Sequence, residues 1–120
     1  IIFGDGEQTR DYVYVGDVAE ANGRALAADT YGIEKGNAGS VDTLAFHVAT
    51  EQGVSVNELF RELQLSSGAK KSAVHDPPRA GEVRNIHLAI GKAVKHLIWR
   101  PKTKLEQGLL LTGQAFGVVE

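Results

Sequence analysis

The chain has 120 residues, 42% of them hydrophobic and 23% charged, which accommodates one globular domain (residues 1–120) with a modest core and leaves no room for a second catalytic domain. No apolar run reaches the ~18 residues that a bilayer span needs, and no basic segment followed by an apolar stretch marks a secretory signal, so a cytoplasmic protein without a membrane partner is expected. Cysteine is absent, which removes disulfides, thiol nucleophiles and thiolate metal sites, and the absence of methionine predicts a processed product or a piece of a longer chain.

The net charge of −2 conceals a polarised distribution. Residues 1–68 carry four Lys/Arg against eleven Asp/Glu, a balance of −7, whereas residues 69–104 carry nine against two, a balance of +7. Such a split either presents a basic face to an anionic partner or lets the two halves of one fold attract each other. The basic stretch has no aromatic platform beyond Trp99, so nucleic acid is not an expected partner.

In chain order, "IIF" and "DYVYV" read as the two strands of a hairpin joined by the Gly/Asp-rich "GDGEQTR". Asp17, three residues before Glu20, reads as a helix start, with Val18, Ala21, Ala25 and Leu26 at helical spacing and an end near Asp29. "YGIEKGNAGSVDT" reads as a surface loop. "LAFHVAT" predicts a strand. It leads into a helix opened by the Ser55/Glu58 capping box and carrying Val56, Leu59, Phe60 and Leu63 on one face. "KKSAVHD" predicts another strand, ended by Pro77 and Pro78. A helix is expected at "GKAVKHL", and Thr103 with Glu106 repeats the capping-box spacing ahead of Leu105, Leu109 and Phe116. The expected fold is therefore mixed α/β: a small sheet from "IIF", "DYVYV", "AFHV" and "KSAVHD" with about four helices.

Several candidate motifs carry little chemistry. Gly4-x-Gly6 lacks the third glycine of a dinucleotide fingerprint, since Thr9 stands there, and the stretch reads as preceding a strand rather than following one, so no cofactor-binding residue is assigned. Tyr31 and Lys35 form a Tyr-x-x-x-Lys spacing, but Gly32 and Gly36 each cost a helix ~1 kcal/mol, so the two residues read as solvated loop rather than a catalytic pair. His47, His75, His87 and His96 show no metal-ligand spacing, and no metal is assigned. His47 reads instead as a hydrogen-bonded core or pocket-edge residue.

The arginines remain. A guanidinium fork matches two phosphate oxygens, and Arg79 sits on a short loop stiffened by Pro77 and Pro78 and turned at Gly81. Glu82 suits sugar hydroxyls, and Arg10 offers a second cation. The alternative is that Arg10 pairs with Asp11 or Asp76, and Arg79 with Glu82, as surface ion pairs worth ~0–1 kcal/mol. Spacing alone leaves both readings open.

"IFGDGEQTRDYVYVGDVAEA" resembles the segment IFGDGxQxRDYVYVxDVAxA of extended short-chain dehydrogenases, the NAD-dependent epimerase/dehydratase family, and in particular its UDP-glucose 4-epimerase-like members. "SVNELF", "PPRAGEVR" and "KAVKHLIWRPKTKLEQGL" follow in the family's order, so the resemblance covers nearly the whole chain. It implies the carboxy-terminal, nucleotide-sugar-binding lobe, with Arg10 and Arg79 on the diphosphate of a nucleoside-diphosphate sugar and Glu82 on its ribose. It also implies that the NAD-binding Rossmann half and the catalytic Tyr and Lys lie upstream, outside this sequence. The chain is therefore expected to be inactive by itself, or to serve as a stand-alone binding or self-association module that exposes an apolar patch, either to a second copy or to the missing half. Three departures stand out. "FHVATE" replaces the family's FNVGTG, Ala89 replaces a helix-capping aspartate, and Ile98 replaces a glycine.

Overall fold

The computed structural model describes residues 1–29 and 44–119. The loop expected at "YGIEKGNAGSVDT" and the Tyr31/Lys35 spacing lie outside the described residues. Within them the architecture is mixed α/β, as expected, with four helices; its strands pair differently from the expected single sheet.

β1 (Ile2–Phe3) does not fold back on the segment that follows it. It pairs in parallel with β4 (His75–Asp76), Ile2 opposite His75 and Phe3 opposite Asp76. β2 (Thr9–Arg10) instead pairs antiparallel with β3 (Val54–Ser55). The expected hairpin is thus replaced by two distant pairings, and the β-prone "DYVYV" contributes no strand: its last residue already opens α1 (Val15–Ala27). The "AFHV" segment, residues 45–48, is likewise not a strand.

α1 starts after Tyr14, earlier than the Asp17 signal indicates. Asp17 is no cap. Its side chain is buried, and Oδ2 accepts the backbone N–H groups of Lys102 (3.2 Å) and Thr103 (2.9 Å), a use of the carboxylate that depends on a segment 85 residues away. α2 (Val56–Ser67) behaves as its sequence predicts: Ser55 Oγ accepts the N–H of Glu58 at 3.1 Å, and Gly68 closes the helix in the left-handed conformation at φ 67°. α3 (Gly91–Leu97) coincides with "GKAVKHL". α4 (Leu105–Ala115) begins after Lys104 with no side-chain cap, so the Thr103/Glu106 spacing does not operate. Phe116 falls outside the helix, 80% exposed, instead of completing its apolar stripe.

The core lies between α1 and α3 and consists of Ala21, Ala49, Ile90, Ala93, Leu97 and Trp99. Trp99 is fully buried and satisfies its indole by donating Nε1–H to the Asp17 carbonyl at 3.1 Å. This core is small for the chain. The molecule measures 53 × 38 × 17 Å with a radius of gyration of 17.6 Å, against about 14 Å for a closed domain of this length. A slab one or two elements thick cannot enclose its apolar side chains: Val15, Leu26, Leu65, Ile98 and Phe116 are each at least 70% exposed. No helix among the described residues is long and apolar enough to cross a membrane.

Candidate functional site

The parallel β1–β4 pair ends where two loops leave it, residues 4–8 from β1 and residues 77–84 from β4. Parallel strands send both chains out at the same end, and the space between them is a groove of about 480 Å³ lined by Phe3, Gly4, Asp5, Gln8, Asp76, Pro78, Arg79, Glu82 and Arg84. Gly81 allows the second loop to turn, with φ 76°, a conformation costly to residues with a Cβ. Glu82 N–H closes that turn on the Arg79 carbonyl at 3.3 Å.

The candidate residues Arg10, Arg79 and Glu82 meet around this loop. Arg79 lies with its guanidinium carbon 3.8 Å from the centroid of the Phe3 ring, a cation–π contact, and forms no ion pair among the described residues. Glu82 is not its partner. It accepts instead from Arg10 Nη2 at 3.1 Å, while Arg10 Nη1 donates to the Thr9 carbonyl at 2.7 Å. Both alternative pairings weighed for Arg10, with Asp11 and with Asp76, are thus replaced by a contact across 72 residues. Arg10 borders the groove through Glu82, whereas Arg79 and Glu82 line it.

Three further polar residues belong to the site and were not singled out from sequence. Arg84 donates two parallel hydrogen bonds to Asp5, both at 2.8 Å, and these bonds hold the Asp5 carboxyl down at about 2, with the N–H of Glu7 adding to the effect. Gln8 is 6% exposed; its Nε2 donates to the Phe3 carbonyl at 2.9 Å, and its Oε1 is buried without a partner among the described residues. A buried carbonyl oxygen left unpaired costs ~1–3 kcal/mol. "GEQTR" carries no local signal for this, because Gln8 is held partly by the distant Val56, whose N–H donates to the Gln8 carbonyl at 3.3 Å.

The electrostatics are nearly balanced: Arg10 against Glu82 and Arg84 against Asp5, with Asp76 on the wall and Arg79 the guanidinium without a carboxylate contact. A groove of this kind offers one guanidinium without a carboxylate contact among the described residues, resting on an aromatic face, beside the carboxylates of Asp76 and Glu82. That set suits a ligand with a compact anionic group and adjoining hydroxyl or N–H donors.

The Gly4/Gly6 loop does follow a strand, contrary to the reading from sequence, but it runs on into β2 instead of opening a helix. Asn57 fills the space against Gly6, donating from Nδ2 to the Asp5 carbonyl at 2.8 Å and to Glu7 Oε1 at 2.6 Å. The loop supplies no helix N-terminus for a pyrophosphate, so its residues do not fit NAD. His47 makes a hydrogen-bond contact from Nδ1 to the Ala89 carbonyl at 3.3 Å, and no group of three or more metal-ligating side chains gathers among the described residues.

Comparison with known proteins places this groove in context. UDP-glucose 4-epimerase of Mycolicibacterium smegmatis is 36% identical over 115 residues, which cover 96% of this chain and 33% of that protein. The crystal structure of a Thermotoga maritima UDP-glucose 4-epimerase with UDP-glucose superimposes with a TM-score of 0.79 at 40% identity, covering 97% of this chain and 34% of that one. A UDP-glucuronic acid 4-epimerase from Bacillus cereus, solved with NAD, superimposes with a TM-score of 0.68 at 27% identity, covering 91% and 31%. The chain thus spans about a third of the length of these relatives. Residues 1–112 match the family described as GDP-mannose 4,6 dehydratase, and the chain belongs to this family of nucleotide-sugar epimerases and dehydratases, on its UDP-glucose 4-epimerase-like side.

Proposed function

We propose that this chain is a nucleoside-diphosphate-sugar-binding lobe of a UDP-sugar 4-epimerase-like enzyme, and that it needs a separate dinucleotide-binding half to turn substrate over. The observation that carries the reading is the groove itself: Arg79, without a carboxylate partner among the described residues, lines it together with Glu82 and Asp76. Arg79 leaves the Phe3 ring to grip the diphosphate, Arg10 adds positive charge from behind Glu82, and Glu82 accepts from ribose hydroxyls. NAD, a ligand named in the B. cereus structure, belongs in this reading to the other half, and hydride chemistry belongs there with it. A cytoplasmic location, where nucleotide sugars are accessible, is part of the same proposal.

Calorimetry with UDP-glucose tests this. The chain is expected to bind, the Arg79→Ala variant to lose at least tenfold in affinity as a charge-assisted contact disappears, and neither to convert UDP-galactose. Absence of heat from the unaltered chain contradicts the binding claim, and turnover by the purified chain contradicts the need for a second half.

A second reading has its own support. The slab dimensions and the exposure of Val15, Leu26 and Phe116 favour association through the apolar faces, with the dinucleotide-binding half or with a second copy. Light scattering that finds a clean monomer at all concentrations contradicts self-association.

A further inference from the structure

Beside Arg10, and outside the groove, one carboxylate gathers an unusual number of donors. Asp11 Oδ1 accepts the N–H of Thr50 at 2.7 Å and its hydroxyl at 2.5 Å, and Oδ2 accepts the N–H of Glu51 at 3.0 Å and of Leu88 at 3.3 Å. These four donors come from two segments that have no sequence link to each other or to β2. The first is the turn at residues 50–51, where Glu51 takes a left-handed backbone at φ 63°. The second is the strip that continues from Glu82 and Arg84 to the start of α3.

That strip is already laid along β2. Thr9 N–H donates to the Arg84 carbonyl at 2.9 Å, Ile86 N–H donates back to the Thr9 carbonyl at 3.1 Å, and Thr9 Oγ1 donates to Asn85 Oδ1 at 3.2 Å. The ladder stops at residue 86. Asp11 extends it by one contact, to Leu88, and fastens it sideways to the 50–51 turn, whose Glu51 carboxylate accepts the N–H of Ile90 at 3.0 Å. The ring is closed: β2, Asp11, the turn, Ile90, and back through Leu88. Just before the ring along the strip lie Arg84, whose carbonyl Thr9 holds, and Glu82, the residue that Arg10 holds.

We propose that Asp11 is a positioning residue for the groove: its carboxylate ties Leu88, the far end of the strip that Thr9 holds at residues 84–86, and the turn 50–51 to β2, and thereby steadies where Arg10 and Glu82 stand. It touches no groove-lining side chain in the contacts above and acts through backbone amides. The inference rests on the nucleotide-sugar reading for its effect on binding, but the clamp itself does not.

The test uses the 120-residue chain with UDP as the probe, combining amide hydrogen exchange with calorimetry. Asp11→Asn is expected to speed exchange at Thr50, Glu51 and Leu88 by about tenfold or more, as charge-assisted bonds become neutral ones, with helix amides of α2 unchanged. UDP affinity is expected to fall by about tenfold. Combined with Arg10→Ala, the loss is expected to be smaller than the product of the two separate losses, because both act on the placement of Glu82. Gly68→Ala, which strains the left-handed end of α2 away from residues 11, 50, 51 and 88, supplies the control for a general loss of stability and is expected to keep UDP affinity within about twofold. Should Asp11→Asn not fold, Thr50→Val removes the hydroxyl donor alone and is expected to show both effects at reduced size. Unchanged exchange at residues 50, 51 and 88 overturns the clamp. Fully independent losses in the double variant, or an equal loss of affinity in Gly68→Ala, overturn the positioning role. If the unaltered chain binds no UDP, the nucleotide reading fails and the exchange measurement alone decides the clamp.

Discussion

Around Trp99, α1 and α3 exclude water from six apolar side chains, and the polar groups they trap are all answered: the indole by the Asp17 carbonyl, the Asp17 carboxylate by two backbone amides. Along the groove the balance is reversed. Its walls are held by paired charges that remain partly in water, Arg10 with Glu82 and Arg84 with Asp5, and one buried oxygen, that of Gln8, has no partner among the described residues. The first region uses packing to define a single arrangement. The second leaves one guanidinium out of any ion pair among the described residues and carries the cost of an unpaired buried oxygen. In a slab this thin the small core must carry most of the folding free energy, so the two regions should respond to substitution in opposite ways.

The largest expected effect falls on the core. Trp99→Ala should destabilise the chain by ~3–5 kcal/mol, enough to unfold a marginal domain, and urea denaturation followed by circular dichroism measures it. Arg79→Ala should do the reverse: its loss should shift the urea midpoint by no more than ~0.5 kcal/mol equivalent while lowering UDP-glucose affinity at least about tenfold, since an exposed cation–π contact contributes little to folding. A variant that unfolded as readily as Trp99→Ala would erase the distinction between the regions.

Two residues with left-handed backbones sharpen it further. Ile98 closes α3 at φ 52°, and Glu51 sits at φ 63°, both at positions where the resembled family carries glycine. Ile98 is 73% exposed, so Ile98→Gly relieves the β-branched side chain of an unfavourable conformation with little burial lost and should stabilise by ~1 kcal/mol. Glu51→Gly relieves the same kind of strain but forfeits the carboxylate contact with Ile90 N–H at 3.0 Å, so its net change in thermal midpoint should be close to zero. Equal gains from both would mean that the Glu51 carboxylate contributes nothing to the start of α3.

The smallest effect is that of acid. The Asp5 carboxyl, held at about 2 by Arg84, lies below its unfolded value near ~3.9, so the ionised form contributes stability that is present above about pH 4 and lost as pH falls toward 2. Glu20 is lowered in the same direction by Lys102 and then Arg24. Asp5→Asn should flatten the decline in urea midpoint between pH 4 and 2, and added salt should do so in part, because the Arg84–Asp5 pair is more than half exposed.

Sequence made the local features legible and left the long-range ones dark. Ser55 and Glu58 announce α2 because a capping box satisfies its own backbone within three residues, and Gly68 ends it for an equally local reason. Asp17 carries the same kind of signal at the start of α1, yet its oxygen is claimed by amides 85 and 86 residues away, which no spacing rule foresees. The hairpin does not form, β1 pairing instead with β4, and the strandless "DYVYV" shows that β-propensity yields to tertiary context. Arg79 and Glu82 were singled out from their residue types beside Pro-Pro and Gly81, and they do line the groove; their ligand roles remain the proposal above. Gln8, Arg84 and Asp11 were not, since burial, a bidentate partner and four converging donors each arise only once residues 5, 50 and 88 are brought to β1 and β2.

The most direct test of the account is a titration of the isotopically labelled chain with UDP, followed residue by residue in amide and side-chain spectra. The account predicts saturable shifts at Phe3, Gln8 and residues 76–84, including the Gln8 side-chain amide and the Arg79 Nε–H, with the Trp99 indole unmoved. Shifts confined to the apolar hollow between Tyr14, Leu105 and Phe116, or no saturable shift at all, would contradict it.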